Sequence, residues 1–168
     1  KFPDVFGAAT VGEAYELKKF IRELNCEKKH FKFINTGTVD PYVTLWGVRP
    51  TRYIGESYCQ PIIDSADLEK VSSTRLTQSK SPKIVIAGMS LRIEAFLDVD
   101  GSYCAGKSTS IILGDSEKLK SLIAILNSQV VSFWFSKYFN SLSMAGGYFN
   151  IGNNEIGLIP IPNILFQV

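Results

Sequence analysis

Histidine is nearly missing from this chain: of 168 residues, only His30 carries an imidazole. Mechanisms built on a histidine pair, and histidine-rich metal sites, are therefore excluded. Beside Lys28 and Lys29, the lone ring reads as a solvated surface residue. Cysteine is scarce too. Cys26, Cys59 and Cys104 are odd in number, widely spaced and without a CxxC pair, which argues against a disulfide framework or a zinc site and for free thiols in a reducing cytoplasm. No apolar run approaches the length of a membrane span, and residues 1–10 lack the charged-then-apolar form of a signal peptide. A chain opening on Lys1 rather than methionine is expected to be a fragment of a longer one. Charge of either sign is not in excess, with a formal net charge of +2, so composition alone does not argue for nucleic acid. Also missing are a GxSxG elbow, an Asn-Pro-Pro-Tyr string and a glycine-rich cofactor loop after a strand, so this portion is not expected to be catalytic.

What is present is the composition of an ordinary globule, 45% hydrophobic and 20% charged, long enough for one domain with a good core or for two small lobes sharing one. Thr10 and Glu13 form a capping box, and Ala14, Leu17, Phe20, Ile21 and Leu24 follow at helical spacing, predicting a helix from about Val11 to about Asn25. FKFIN (31–35) reads as a short strand. TGTVDPY and WGVRPTRY are turn-rich and place Tyr42, Trp46, Arg49, Arg52 and Tyr53 on irregular backbone. Arginines there suit guanine edges and phosphates, while Trp46 and Tyr53 read either as contacts to sugars and bases or as core anchors beneath a loop. Leu68, Val71, Arg75 and Leu76 predict a polar surface helix over 65–79, capped by Asp64 or Ser65. TQSKSP then reads as a polar connector with Lys80 and Lys83 exposed.

The second half is more regular. IVIAG and RIEAFLD read as strands, Asp100-Gly101 as a turn, and TSIILG as a third strand. From Ser116 to Phe139, Leu119, Leu122, Ile123, Leu126, Val130, Phe133, Trp134 and Phe135 recur at three and four residues, the period of a buried helix face. Asp115 or Ser116 is the expected cap, and Asn127-Ser128 leave either one helix or two meeting there. The stretch 125–139 is apolar almost all round, so it is expected to be enclosed. Asn153, Asn154 and Glu155 suggest a short capped turn, and IGLIPIP a final edge strand.

Two motifs tempt. GSYCAGKS (101–108) matches the phosphate-cradling GxxxxGK[ST] pattern, but that chemistry needs a helix N-terminus after the loop, and STSIIL is strand-like. Lys107, Ser108 and Thr109 are instead expected on a strand or its approach, able to face DNA. Pro3-Asp4 with Glu16-Leu17-Lys18 has the letters of a metal-dependent nuclease, yet Glu16 and Lys18 fall inside a capped helix with no partner strand for Asp4.

In order and spacing, PKIVIAG (82–88), ILNS (125–128), GGYF (146–149) and IPIP (159–162), with AATVGEAYELKKFI and FINTGTVDPY upstream, resemble the TaqI-like C-terminal specificity domain of restriction-modification enzymes. The resemblance implies recognition of double-stranded DNA without chemistry, in the cytoplasm of a bacterium or archaeon. It also implies an upstream adenine-N6 methyltransferase in the same polypeptide, using S-adenosylmethionine and possibly fused to a nuclease. The fragment itself then needs no cofactor. The expected fold is α+β: a twisted, mostly antiparallel sheet with a long C-terminal helical core. Residues 1–80 would form the variable recognition portion and 81–168 the specificity core of one domain. By residue type and loop position, the expected DNA contacts are Arg49, Arg52, Lys80, Arg92, Lys107 and the segment from Tyr148 to Asn150, with Gly146 and Gly147 turning the backbone. The alternative is an assembly module that docks a partner through the aromatic helix, associating without salt sensitivity.

Overall fold

The computed structural model describes residues 3–25 and 29–162. In chain order the first half gives strand β1 (Val5–Gly7), helix α1 (Val11–Lys18), β2 (Arg22–Glu23), β3 (His30–Ile34), β4 (Val39–Asp40), β5 (Val43–Thr44), β6 (Thr51–Tyr53), β7 (Glu56–Tyr58), β8 (Pro61–Asp64), α2 (Ser65–Val71) and α3 (Ser73–Lys80). The second half gives β9 (Lys83–Ala87), β10 (Met89–Ser90), β11 (Ala95–Asp98), β12 (Tyr103–Ala105), β13 (Thr109–Leu113), α4 (Ser116–Leu126), α5 (Gln129–Tyr138), β14 (Phe149–Asn150) and α6 (Asn153–Gly157). The class is α+β with mostly antiparallel pairing, as expected, but there are two four-stranded sheets rather than one. The first runs β1-β13-β9-β11, all antiparallel; the second runs β12-β3-β8-β2, in which β12 lies parallel to β3.

Strand alternation explains the layering. On β9, Ile84 and Ile86 point one way, into a core with Leu119, Leu122, Ile123 and Leu126 of α4, Val131 and Phe135 of α5 and Ile156 of α6. Val85 and Ala87 point the other way and meet Ile34 of β3 and Ala105 of β12 between the sheets. The far face of the second sheet, through Phe31, Phe33 and Cys104, packs on Leu17, Leu68 and Leu76 of the first three helices. The order is thus helices, sheet, sheet, helices. The two halves exchange a strand each, because β1 pairs with β13 while β12 pairs with β3.

Several expectations are corrected. The Thr10–Glu13 capping box is present, but α1 ends at Lys18 instead of about Asn25. Ile21 is needed in the core, and Arg22–Glu23 pair with β8, where the Glu23 carboxylate accepts the Cys59 and Gln60 N–H groups. Tertiary pairing overrides helical spacing there. The pattern over 65–79 breaks at Ser72, whose extended backbone (φ −167°) and hydroxyl cap α3. Glu69, Lys70, Ser73, Thr74, Thr77 and Lys80 form the expected polar, exposed face, but Arg75 turns inward: it is half-buried, donating to the Gly7 carbonyl and the Gln78 side chain and pairing with Glu13. Thr77–Lys80 belong to α3, which leaves only Ser81-Pro82 as connector. Lys83 is not exposed but 1% accessible, donating to the Ser79 carbonyl and paired with the equally buried Asp98. His30 lies half-buried in β3, opposite Asp64, rather than on a solvated surface.

The long helical pattern is two helices. Asn127 ends α4, and the Ser128 hydroxyl caps α5 by accepting the Val131 N–H. Asn127 also grips strand β11, donating to the Ala95 carbonyl at 2.8 Å and accepting its N–H at 3.0 Å. The expected enclosure fails for α5: Val131 and Phe135 are buried, but Val130, Phe133 and Tyr138 are 63–77% exposed. IGLIPIP forms no strand; Ile156 lies in α6 and Ile159 packs from irregular backbone. The turn expected at Asn153 becomes α6. Cys59 and Cys104 are free, while Cys26 lies outside the described residues. No helix among the described residues is long and apolar enough to cross a membrane.

Candidate nucleic-acid interface

β3, β9 and β12 all end on one edge of the molecule, where β13 begins, and the turn after β3 organises that edge. Asn35 is buried and extended, and Thr36–Thr38 form a single 3₁₀ turn. The Asn35 amide donates to the Arg52 carbonyl (3.0 Å), and its oxygen accepts the Ser108 N–H (3.3 Å). The Thr36 hydroxyl accepts the Met89 N–H (3.0 Å) and donates to the Met89 carbonyl (3.1 Å), as a neighbouring strand would. The Thr38 carbonyl accepts the Leu45 N–H and the Thr44 hydroxyl, anchoring the turn that carries Arg49, and the Arg49 guanidinium reaches the Gly37 carbonyl at 3.4 Å.

Most of the expected contact residues therefore converge. Arg52 stands exposed on the β6–β7 hairpin, above Asn35. Lys107 stands exposed on the turn between β12 and β13. Asn150 pairs with Met89 across the β10–β14 ribbon, and Tyr148 precedes it, 45% exposed. Arg92 follows that ribbon; it and Arg49 both act on the half-buried Glu94, whose carboxyl is raised by burial and by Asp40 against the pull of those two arginines. Lys80 is not brought together with the others. Its carbonyl sits against Gly101, two residues ahead of β12, whereas Lys107 follows that strand, so Lys80 and Lys107 lie beyond its opposite ends, on the order of 20 Å apart for a largely extended run of that length.

Glycines let the backbone close up on this edge. A Cβ at Gly106 would lie 2.8 Å from the Asn35 oxygen and 3.0 Å from the Phe33 and Tyr53 rings, which packs the Lys107 turn on the core. Gly146 and Gly147 adopt φ of +82° and +80°, the left-handed region that suits glycine, and reverse the chain ahead of Tyr148. Between the Lys107 turn and the ribbon lies a cleft of about 380 Å³, walled by Gly7, Thr36, Gly88, Lys107, Ser108 and Asn150 among others. Its walls mix apolar surface from Met89 and Ile151 with hydrogen-bonding groups of Thr36, Ser108 and Asn150, and Lys107 is the one cation among them.

Two aromatics of the turn-rich segment, Tyr53 and Trp46, pack into the scaffold, whereas Tyr42 stands exposed. Tyr53 is 3% exposed and meets Phe33 edge to face; burial pushes its hydroxyl up to about 12, against the Lys107 backbone N–H. The Trp46 indole donates to the Pro61 carbonyl at 2.8 Å, and Lys32 lies over its ring. GSYCAGKS runs through β12 into the turn before β13, so a strand and not a helix follows Lys107. Glu16 sits in α1 and pairs with Lys19, and the described residues hold no cluster of metal-ligating side chains. Reading by residue type missed Asn35, Thr36 and Thr38. Their signal was an Asn-Thr-Gly-Thr string at a strand end, where short polar side chains substitute for backbone partners.

The family model of the TaqI-like C-terminal specificity domain matches residues 16–161. No curated protein matches the chain.

Proposed function

Because the chain belongs to the TaqI-like C-terminal specificity domain family, a family of DNA-specificity domains in restriction-modification systems, we propose that it reads double-stranded DNA through the edge built on residues 35–38. The observation that carries this is the convergence of Arg49, Arg52, Arg92, Lys107 and Asn150 there, each exposed and each on a turn or short ribbon fixed to the scaffold. Lysine and arginine supply affinity through phosphates; arginine, asparagine and tyrosine side chains supply specificity at base edges. Catalysis belongs elsewhere in the parent polypeptide. By this reading an upstream adenine-N6 methyltransferase, using S-adenosylmethionine, receives the target adenine that this domain positions. Sequencing the coding region upstream of Lys1 tests that part, with an Asn-Pro-Pro-Tyr motif behind a glycine-rich cofactor loop as the expected result.

Duplex binding followed by anisotropy tests the DNA reading. Four basic contacts imply a loss of about a hundredfold in affinity between 50 and 200 mM salt. Arg49→Ala and Arg52→Ala should each weaken binding, and unchanged affinity in both removes those residues from the interface. A second reading rests on the uncovered face of α5, where Val130, Phe133 and Tyr138 stand exposed. There the chain is an assembly module, and the expected association is with protein and indifferent to salt.

A further inference from the structure

The recognition edge has no continuous sheet beneath it. Arg52 rides on the two-stranded β6–β7 hairpin, Lys107 and Arg49 on separate turns, and Met89 and Asn150 on a second two-stranded ribbon. A two-stranded ribbon or an irregular turn is marginal by itself and holds its geometry through what it is tied to. Here the ties run to one four-residue stretch. Asn35 joins the Arg52 hairpin to the Lys107 turn with one side chain, using its donor for one and its acceptor for the other. Thr36 replaces a strand partner for Met89 with both capacities of its hydroxyl. Thr38 closes the turn on itself, its hydroxyl donating to the Asn35 carbonyl at 3.0 Å, and its carbonyl anchors the Arg49 turn. Asn35 is 7% exposed, so it is not itself placed to reach DNA.

We infer that Asn35 and Thr36 are positioning residues for sequence discrimination: they fix the spacing of the arginine, lysine and asparagine groups that face the duplex, and their loss blurs specificity without removing charge. The inference rests on the DNA-reading function proposed above. Hydrogen bonds to base edges are short-ranged and directional, so a shift of a fraction of an ångström weakens them steeply, while attraction to phosphates tolerates it. Discrimination and affinity should therefore separate in the variants.

The test uses the protein and a pool of duplexes with a randomised core. It compares wild type with Asn35→Asp, which keeps shape but, when ionised, cannot donate to the Arg52 carbonyl, and with Thr36→Val, which keeps shape at a half-exposed position but removes the hydroxyl. The expected result is a drop of about tenfold in the preference for the best selected sequence over the pool, with the salt slope and melting temperature of Thr36→Val unchanged, and recovery in Thr36→Ser. Full discrimination in folded Asn35→Asp and Thr36→Val, or no recovery in Thr36→Ser, overturns the inference alone. A wild-type protein that enriches no sequence overturns the DNA reading and this inference with it.

Discussion

At the scale of single residues, the charges divide into two kinds. Lys83 and Asp98 are the most buried ionic pair described, each about 1% exposed, with Asp98 also accepting the Ser102 and Tyr103 N–H groups. Burial lowers the Lys83 ammonium and Asp98 opposes that. Lys83→Met strands a carboxylate in the interior and should cost about 3–5 kcal/mol in chemical denaturation. Lys107 is the opposite case, exposed and bound by no carboxylate in any described ion pair. Lys107→Gln should weaken duplex binding uniformly across sequences and reduce the log–log salt slope by about 1, leaving stability unchanged. Glu13 gives the protein an acid limit. Burial would raise its carboxyl, but the Thr10 N–H and the Arg75 guanidinium outweigh burial and hold it at about 2, from an ordinary 4.5. A depressed folded pKa stabilises above the unfolded value and is lost as pH falls through the folded one, so this contribution should fade between about pH 4.5 and 2. Thermal melts across that window should show a shallower acid decline for Glu13→Gln than for wild type.

At the scale of elements, the sequence was legible wherever period and chemistry agreed. IVIAG and TSIIL are β-branched runs and became the two central strands of one sheet, and the Thr10–Glu13 box started α1 where its spacing said. The Asn127-Ser128 pair left one helix or two, and its cap-forming chemistry decided for two. Beyond the helix ends, Asn127 acts as a false strand for Ala95. Asn127→Leu should therefore cost about 1–3 kcal/mol by denaturation, since it removes two hydrogen bonds and leaves the Ala95 groups to find others. What was illegible depended on distant partners. The residues after Lys18 carry helical spacing, but β8 claims Arg22 and Glu23 for a sheet edge. Lys83 reads as a surface lysine until Asp98 is brought across from β11, and Lys80 reads as a neighbour of Lys107 until Gly101 places it beyond the far end of β12. Residue type could nominate Arg49, Arg52 and Lys107; only the fold showed Asn35 between two of them.

At the scale of the whole molecule, the division near residue 80 is crossed by strand exchange in both directions. Residues 81–168 by themselves would lose β1 from the edge of β13 and β3 from beside β12, exposing Val85, Phe96 and Ile111 to water. That fragment should unfold without a sharp transition and bind hydrophobic dye, whereas the intact chain should unfold as one cooperative unit; a sharp transition in the fragment would separate the halves. The same exchange brings Ser108 beside Asn35, so the candidate interface draws on both halves at once. The most direct test of the interface is a photoreactive benzoylphenylalanine placed at position 108, beside Lys107, and in a second protein at position 80. Crosslinking of duplex DNA from position 108 and not from position 80 is the expected result. Crosslinking from 80 alone, or from neither under conditions where the protein binds DNA, would contradict the assignment of this edge as the DNA-reading surface.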